Sequence, residues 1–201
     1  MKMSPKRRTA AKTKSKSTTK KKATKKATSA KPKLVGQVHA INASLTMIIA
    51  DAKLAKTYDG VGPVDGDLDD SDWSRAIEAM GSKDVGTLEL KKGEVLVLSL
   101  AMGGGIGHVF AIEDRLVLVE AWHDDMEDEL FLEWVASPTR AKKTVGTVDV
   151  KSGKMGFVSC TDSGSEEMLA VKMPRGSYRF VVESSATRSW GQARRCLVTP
   201  A

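Results

Sequence analysis

The sequence predicts an α+β fold, mostly antiparallel β: two tandem, related β-hairpin modules carrying one short amphipathic helix, preceded by a disordered basic tail. Three observations carry that prediction. Residues 85–100, VGTLELKKGEVLVLSL, return sixty positions later as residues 145–160, VGTVDVKSGKMGFVSC. Aligned without a gap, Val, Gly, Thr, Lys, Gly and Ser recur in place, and Leu88/Val148, Glu89/Asp149, Leu90/Val150 and Leu98/Val158 differ only conservatively. One segment between Ser71 and Met80 has apolar residues at helical spacing, and residues 1–33 contain fourteen Lys and Arg and no acid.

The tail comes first in the chain. Built from Lys, Ala, Thr and Ser, it can bury almost nothing, so residues 1–33 are expected to be disordered, with Pro32 closing the segment. Its composition resembles the Lys/Ala-rich tails of linker histones and bacterial histone-like proteins, and Ser4-Pro5-Lys6-Arg7 resembles their Ser-Pro-Lys-Lys element. That resemblance implies contact with nucleic-acid phosphates through Lys6, Arg7, Arg8, Lys20, Lys21, Lys22, Lys25 and Lys26, without base reading, because Lys offers charge and no base-edge discrimination. The plain alternatives are a solubilising tail, or a cationic transit segment, although the Arg-rich amphipathic pattern of one is lacking.

Residues 34–201 form the expected β-rich domain, with the internal duplication spanning 85–122 and 145–183. Val35 and Val38 are its first ordered signals, and the apolar run from Leu45 to Ala50 reads as the entering strand. A loop rich in Gly and Asp follows from Asp59 to Asp72. Asp70 or Ser71 then caps a helix with Trp73, Ala76, Ile77 and Met80 on one face, which Gly81 ends. Trp73 reads as its anchor on the sheet.

In the first module, alternation through Thr87 to Lys91, a Lys92-Gly93 turn and the buried run Val95 to Leu98 predict a hairpin. Residues 147–151, Ser152-Gly153 and 155–158 predict its repeat. The strand pair 109–112 and 116–120 parallels 169–173 and 178–183. Gly103 to Gly107 lacks both GxGxxG and a P-loop ending, so it reads as a flexible hairpin connection rather than a phosphate cradle. Residues 124–129 read as an acidic loop, 130–135 as a short apolar run around Trp134, 140–143 as a basic linker after Pro138, and 195–198 as the last strand.

The net charge of +7 averages two unlike pieces. The tail carries +14, which leaves 18 basic against 25 acidic residues and a charge of −7 for the remainder. No apolar run approaches the ~20 residues of a membrane span and no apolar segment follows the basic start, so the expected location is the cytoplasm, with nucleoid association through the tail. Cys160 and Cys196 fit no metal or CxxC pattern and read as reduced, partly buried thiols.

Catalytic signals are thin. His108 and His123 read as surface histidines. Asp65-Gly66-Asp67-Leu68-Asp69 starts like a calcium loop, but Asp70 stands where Gly is needed and Ala76 where the bidentate Glu belongs. No nucleophile motif is visible, so no enzyme, cofactor or metal is expected. What remains is charge: Asp65, Asp67, Asp69, Asp70 and Asp72 form one acidic cluster, and Asp124, Asp125, Glu127, Asp128 and Glu129 form another. Each reads either as a solvated face, or a place for the chain's own tail, or as a docking surface for a basic partner.

Residues 36–198 resemble the immunity protein 21 family of polymorphic-toxin systems. That family's pattern is an apolar strand preceded by Gly-Gly-Pro, then Trp-x-Gly, then Ser-Asp-Tyr-x-Arg-Ala opening a helix ahead of a repeated β region. Here Leu45 to Ile49 matches the strand, Tyr58-Asp59-Gly60 stands in the second place, and Ser71-Asp72-Trp73-Ser74-Arg75-Ala76 opens the helix. Asn42-Ala43-Ser44 replaces Gly-Gly-Pro, and the tail is foreign to the pattern. The resemblance implies a cytoplasmic, non-enzymatic protein that binds and neutralises a cognate bacterial toxin; the other reading is a nucleoid-associated protein whose tail holds DNA while the β domain acts as an adaptor.

Overall fold

The structure is a computed structural model that describes residues 30–39, 45–62, 70–102, 105–113, 115–122, 125–138 and 143–201. The strands are β1 Lys33–His39, β2 Thr46–Asp51, β3 Val85–Leu90, β4 Gly93–Ser99, β5 Ile106–Ile112, β6 Arg115–Trp122, β7 Lys143–Val150, β8 Lys154–Ser159, β9 Leu169–Lys172, β10 Gly176–Val182, β11 Ala186–Arg188 and β12 Gly191–Pro200. The helices are α1 Ala52–Ala55, α2 Asp72–Met80 and α3 Glu129–Ala136.

The strands form two antiparallel sheets. The larger has the order β1-β5-β6-β12-β10-β7, with β11 paired to β12, and the smaller has the order β3-β4-β2-β8-β9. Strand alternation decides what each face buries. In β2, Met47 and Ile49 enter a core shared by both sheets, where Leu98, Leu118, Phe157, Phe180 and Cys196 also lie. Ile48 and Ala50 point the other way and pack with Tyr58, Ala76 and Trp73 under α1 and α2. On the far side, Phe110, Val117, Val119 and Ala193 of the larger sheet pack under Phe131, Leu132 and Val135 of α3. Helices therefore cover both outer faces, which explains why the strands read as near-continuous apolar runs. Among the described residues, no helix is long and apolar enough to cross a membrane.

The mostly antiparallel β class and the central helix are as expected. Ser71 caps α2 by accepting from the Ser74 amide at 3.1 Å, and Gly81 closes it with φ 55°. The last strand is longer than predicted, running from Gly191 to Pro200. Two elements were not predicted as helices. Asp51 caps the single turn α1 and also accepts from the amides of Lys151 at 2.7 Å and Ser152 at 2.5 Å. The 130–135 run is α3, which begins where Asp128 accepts from the Phe131 amide at 2.8 Å.

The repeated stretch requires a correction. Residues 85–100 form the expected hairpin, β3 against β4, with Leu90 opposite Gly93. Residues 145–160 do not. There β7 pairs β10 in the larger sheet, while β8 pairs β2 and β9 in the smaller one. With both edges of β8 occupied, β7 has no place beside it, so the chain changes sheets at Ser152 and Gly153. The shared Val-Gly-Thr is reused accordingly: a Cβ on Gly86 would run into the Ala79 backbone of α2, whereas one on Gly146 would meet Leu96 of the opposite sheet at 2.5 Å. The glycine-rich connection also differs from expectation, because β4 and β5 belong to different sheets and are not a hairpin. Gly103 and Gly104 themselves, and residues 140–142 of the basic linker, lie outside the described residues.

Candidate functional site

The loop after α1 and the loop after β8 are built against each other. Tyr58 is buried beneath them and donates its hydroxyl to the Cys160 carbonyl, while the Gly164 amide donates to the Tyr58 carbonyl at 2.9 Å. Gly60 takes φ 63°, and a Cβ there would sit 2.6 Å from the Asp162 carbonyl oxygen, so both its conformation and its space demand glycine. The Gly60 carbonyl accepts from the Trp73 amide at 2.8 Å, and the Asp59 amide donates to Asp72 at 3.0 Å. The start of α2 thus joins the same assembly.

These contacts bring carboxylates together. Asp59, Asp162, Glu166 and Glu167 line one cavity of about 430 Å³ with Val61, Gly62, Thr161, Ser163 and Ser165, and among the described residues no Lys or Arg lines it. Burial pushes the Asp162 carboxyl above its ordinary value; a Thr161 hydrogen bond opposes the shift and the Glu167 charge adds to it. Like charges held together in a part-buried site cost free energy that a cation would relieve. Beside it, a cavity of about 550 Å³ shares Asp59 and adds Asp70 and Asp72, but Arg75, Lys91 and Lys92 also line this one. Arg75 bonds Asp72 at 2.8 Å and the Glu89 carbonyl at 2.5 Å, so Asp72 is already compensated.

The predicted acidic residues are therefore divided. Asp70 is exposed beside α2, and Asp72 lies in the helix rather than in a loop. Asp65, Asp67 and Asp69 lie outside the described residues, as does Asp124. In the second cluster, Asp125 accepts from the Glu127 amide at 2.9 Å and Asp128 caps α3, while Glu127 and Glu129 are exposed. The described members of the two clusters stand beside α2 and α3, on opposite outer layers. The tail residues Lys6, Arg7, Arg8, Lys20, Lys21, Lys22, Lys25 and Lys26 lie outside the described residues. Asp59, Asp162, Glu166 and Glu167 were not singled out from sequence, although Thr161 to Glu167, TDSGSEE, carries the composition of an exposed acidic loop.

Two further expectations are settled by burial. His108 is not a surface residue: it is 6% exposed in β5, and its Nδ1 has no hydrogen-bond partner among the described residues. Burial, and then the nearby His39, hold it below the ordinary imidazole value, so it is kept neutral. His123 lies outside the described residues. Cys160 and Cys196 are free and fully buried, in different cores. Burial pushes the Cys160 thiol up to about 11 and Cys196 higher still, which leaves neither as a thiolate at neutral pH. Among the described residues, no three His, Cys, Asp or Glu side chains stand together as metal ligands.

No protein-family model, curated protein or solved structure matches this chain. Of the three stretches on which the resemblance to the immunity protein 21 family rests, Tyr58-Asp59-Gly60 and 71–76 are in direct contact through the Asp59–Asp72 and Gly60–Trp73 hydrogen bonds.

Proposed function

We propose that this protein is a non-enzymatic, immunity-type protein of the cytoplasm that binds a cognate bacterial toxin through its acidic face and so neutralises it. One observation supports this reading above the others: Asp59 converges with Asp162, Glu166 and Glu167, about a hundred positions away, on a surface cavity that no Lys or Arg among the described residues lines. Such a face speeds encounter with a basic partner and disfavours acidic ones. The test is co-expression with the product of the adjacent gene, comparing wild type with a double variant at the two exposed positions, Glu166→Lys and Glu167→Lys. Protection should fall with the variant at a melting temperature no lower than that of wild type, and association should slow at least tenfold at low salt. Full protection by the variant would sink the reading.

A second reading rests on composition alone. Fourteen basic residues in residues 1–33, beside a remainder of −7, suit a nucleoid-associated protein in which the tail binds DNA and the β domain acts as adaptor.

A further inference from the structure

On the opposite outer layer, α3 and the β10–β12 region enclose a groove of about 760 Å³. Its floor is aromatic. Trp134 and Trp190 lie 5.2 Å apart between ring centroids, and Phe131 meets the Trp190 ring edge-on at 5.1 Å. The floor is also braced, because Arg195 is 2% exposed, bonds both carboxylate oxygens of Glu183 at 2.6 and 3.1 Å, donates to the Val135 carbonyl at 3.0 Å and to that of Trp134, and covers one face of the Trp134 ring at 4.8 Å. Arg195 and Glu183 neutralise each other.

The α3 wall supplies both chemistries that a partner would read. Leu130 and Trp134 stand one helical turn apart, as do Glu129 and Glu133; Glu129, Leu130 and Glu133 are exposed, while Trp134 is half-buried against the core and Arg195. Leu130 is 56% exposed. From Asp125 to Pro138 there are five acids and no Lys or Arg. The opposite wall has Arg188 and several hydroxyls. Two half-buried indoles match the composition of interface anchors, the exposed Leu130 extends their apolar surface, and the acidic α3 edge, with Arg188 on the opposite wall, favours cations on its own side.

We infer that this groove is a second docking surface, whose occupant is a partner-protein segment presenting one large apolar side chain flanked by Lys or Arg. The apolar side chain lies against Leu130, Trp134 and Trp190, and the flanking cations meet Glu129 and Glu133. This goes beyond the toxin reading, which uses the other outer layer.

The test uses the full chain and two dye-labelled peptides, Lys-Lys-Leu-Lys-Lys and Lys-Lys-Ser-Lys-Lys, read by anisotropy. The Leu peptide should bind at least tenfold more tightly than the Ser peptide. Its affinity should fall at least tenfold in the Glu129→Lys/Glu133→Lys double variant and severalfold in Leu130→Ser, while Glu166→Lys/Glu167→Lys leaves it unchanged. All these positions are exposed, so the fold is retained. Equal binding of the two peptides, retention by the Glu129/Glu133 variant, loss in the Glu166/Glu167 variant, or no binding of the Leu peptide would each overturn the inference. Because no toxin is present, failure here leaves the acidic-face reading intact, and failure of toxin protection leaves this one intact.

Discussion

The Tyr58 hydroxyl donates to the carbonyl of Cys160, 102 positions further along the chain, at 2.5 Å. Tyr58 is buried in the core beneath α1 and α2. The bond fastens the loop bearing Asp59 to the loop bearing Asp162, so the acidic face depends on a neutral contact underneath it. Burial raises the Tyr58 phenol far above its ordinary value, which keeps it a donor at every physiological pH.

Replacing Tyr58 by Phe removes that donor and leaves the Cys160 carbonyl without it. The expected cost is about 1–2 kcal/mol, and thermal unfolding should shift down by roughly 3–6 °C. A variant as stable as wild type would show that the two loops are held by their other contacts alone.

Asp162→Asn should do the opposite. Burial first, and then Glu167, raise the folded-state carboxyl above its ordinary 3.8. A raised folded pKa means that ionised Asp162 costs stability above that value, and that the cost is relieved as pH falls through it. Denaturant unfolding should therefore find the Asn variant more stable at pH 7, with the advantage shrinking towards pH 4. The charge is then retained at the expense of stability, as expected of a binding face.

His108 gives a second pH signature. Its folded pKa is lowered from 6.5 by burial and then by His39, so the unfolded chain takes up the proton first. This contribution is fully present above about pH 6.5 and is lost as pH falls towards and below the lowered folded value. Urea titrations at pH 7.5 and 5.5 should show wild type losing more stability than His108→Leu over that interval.

The tail should bind duplex DNA with strong salt dependence and little sequence preference. If about ten of its fourteen basic residues meet phosphate, log K against log salt should slope near roughly −9. Deleting residues 1–29 removes twelve Lys and Arg and no residue of the described core, so DNA binding should disappear while the melting temperature holds. Equal DNA affinity of the truncated protein would refute the division of labour between tail and domain.

Local signals settled much of this molecule without a structure. The Ser71 cap, the 3.6-residue spacing through Met80 and the Gly81 stop place α2, because capping and periodicity act within a few residues. The apolar run from Leu45 to Ala50 becomes β2 at the centre of its sheet, and alternating and apolar runs account for the β-rich class. Strand partners are a different matter. Residues 85–100 and 145–160 carry nearly the same pattern, yet β3 pairs its neighbour β4 while β7 and β8 part into separate sheets, because alternation fixes which faces are buried and not which strand lies alongside. The run 130–135 suits a strand or a helix equally, and the Asp128 cap with the seat of Phe131 against Phe110 decides for α3. The burial of His108, and the meeting of Asp59 with Asp162, Glu166 and Glu167, depend on contacts between distant segments, and only the tertiary structure could decide them.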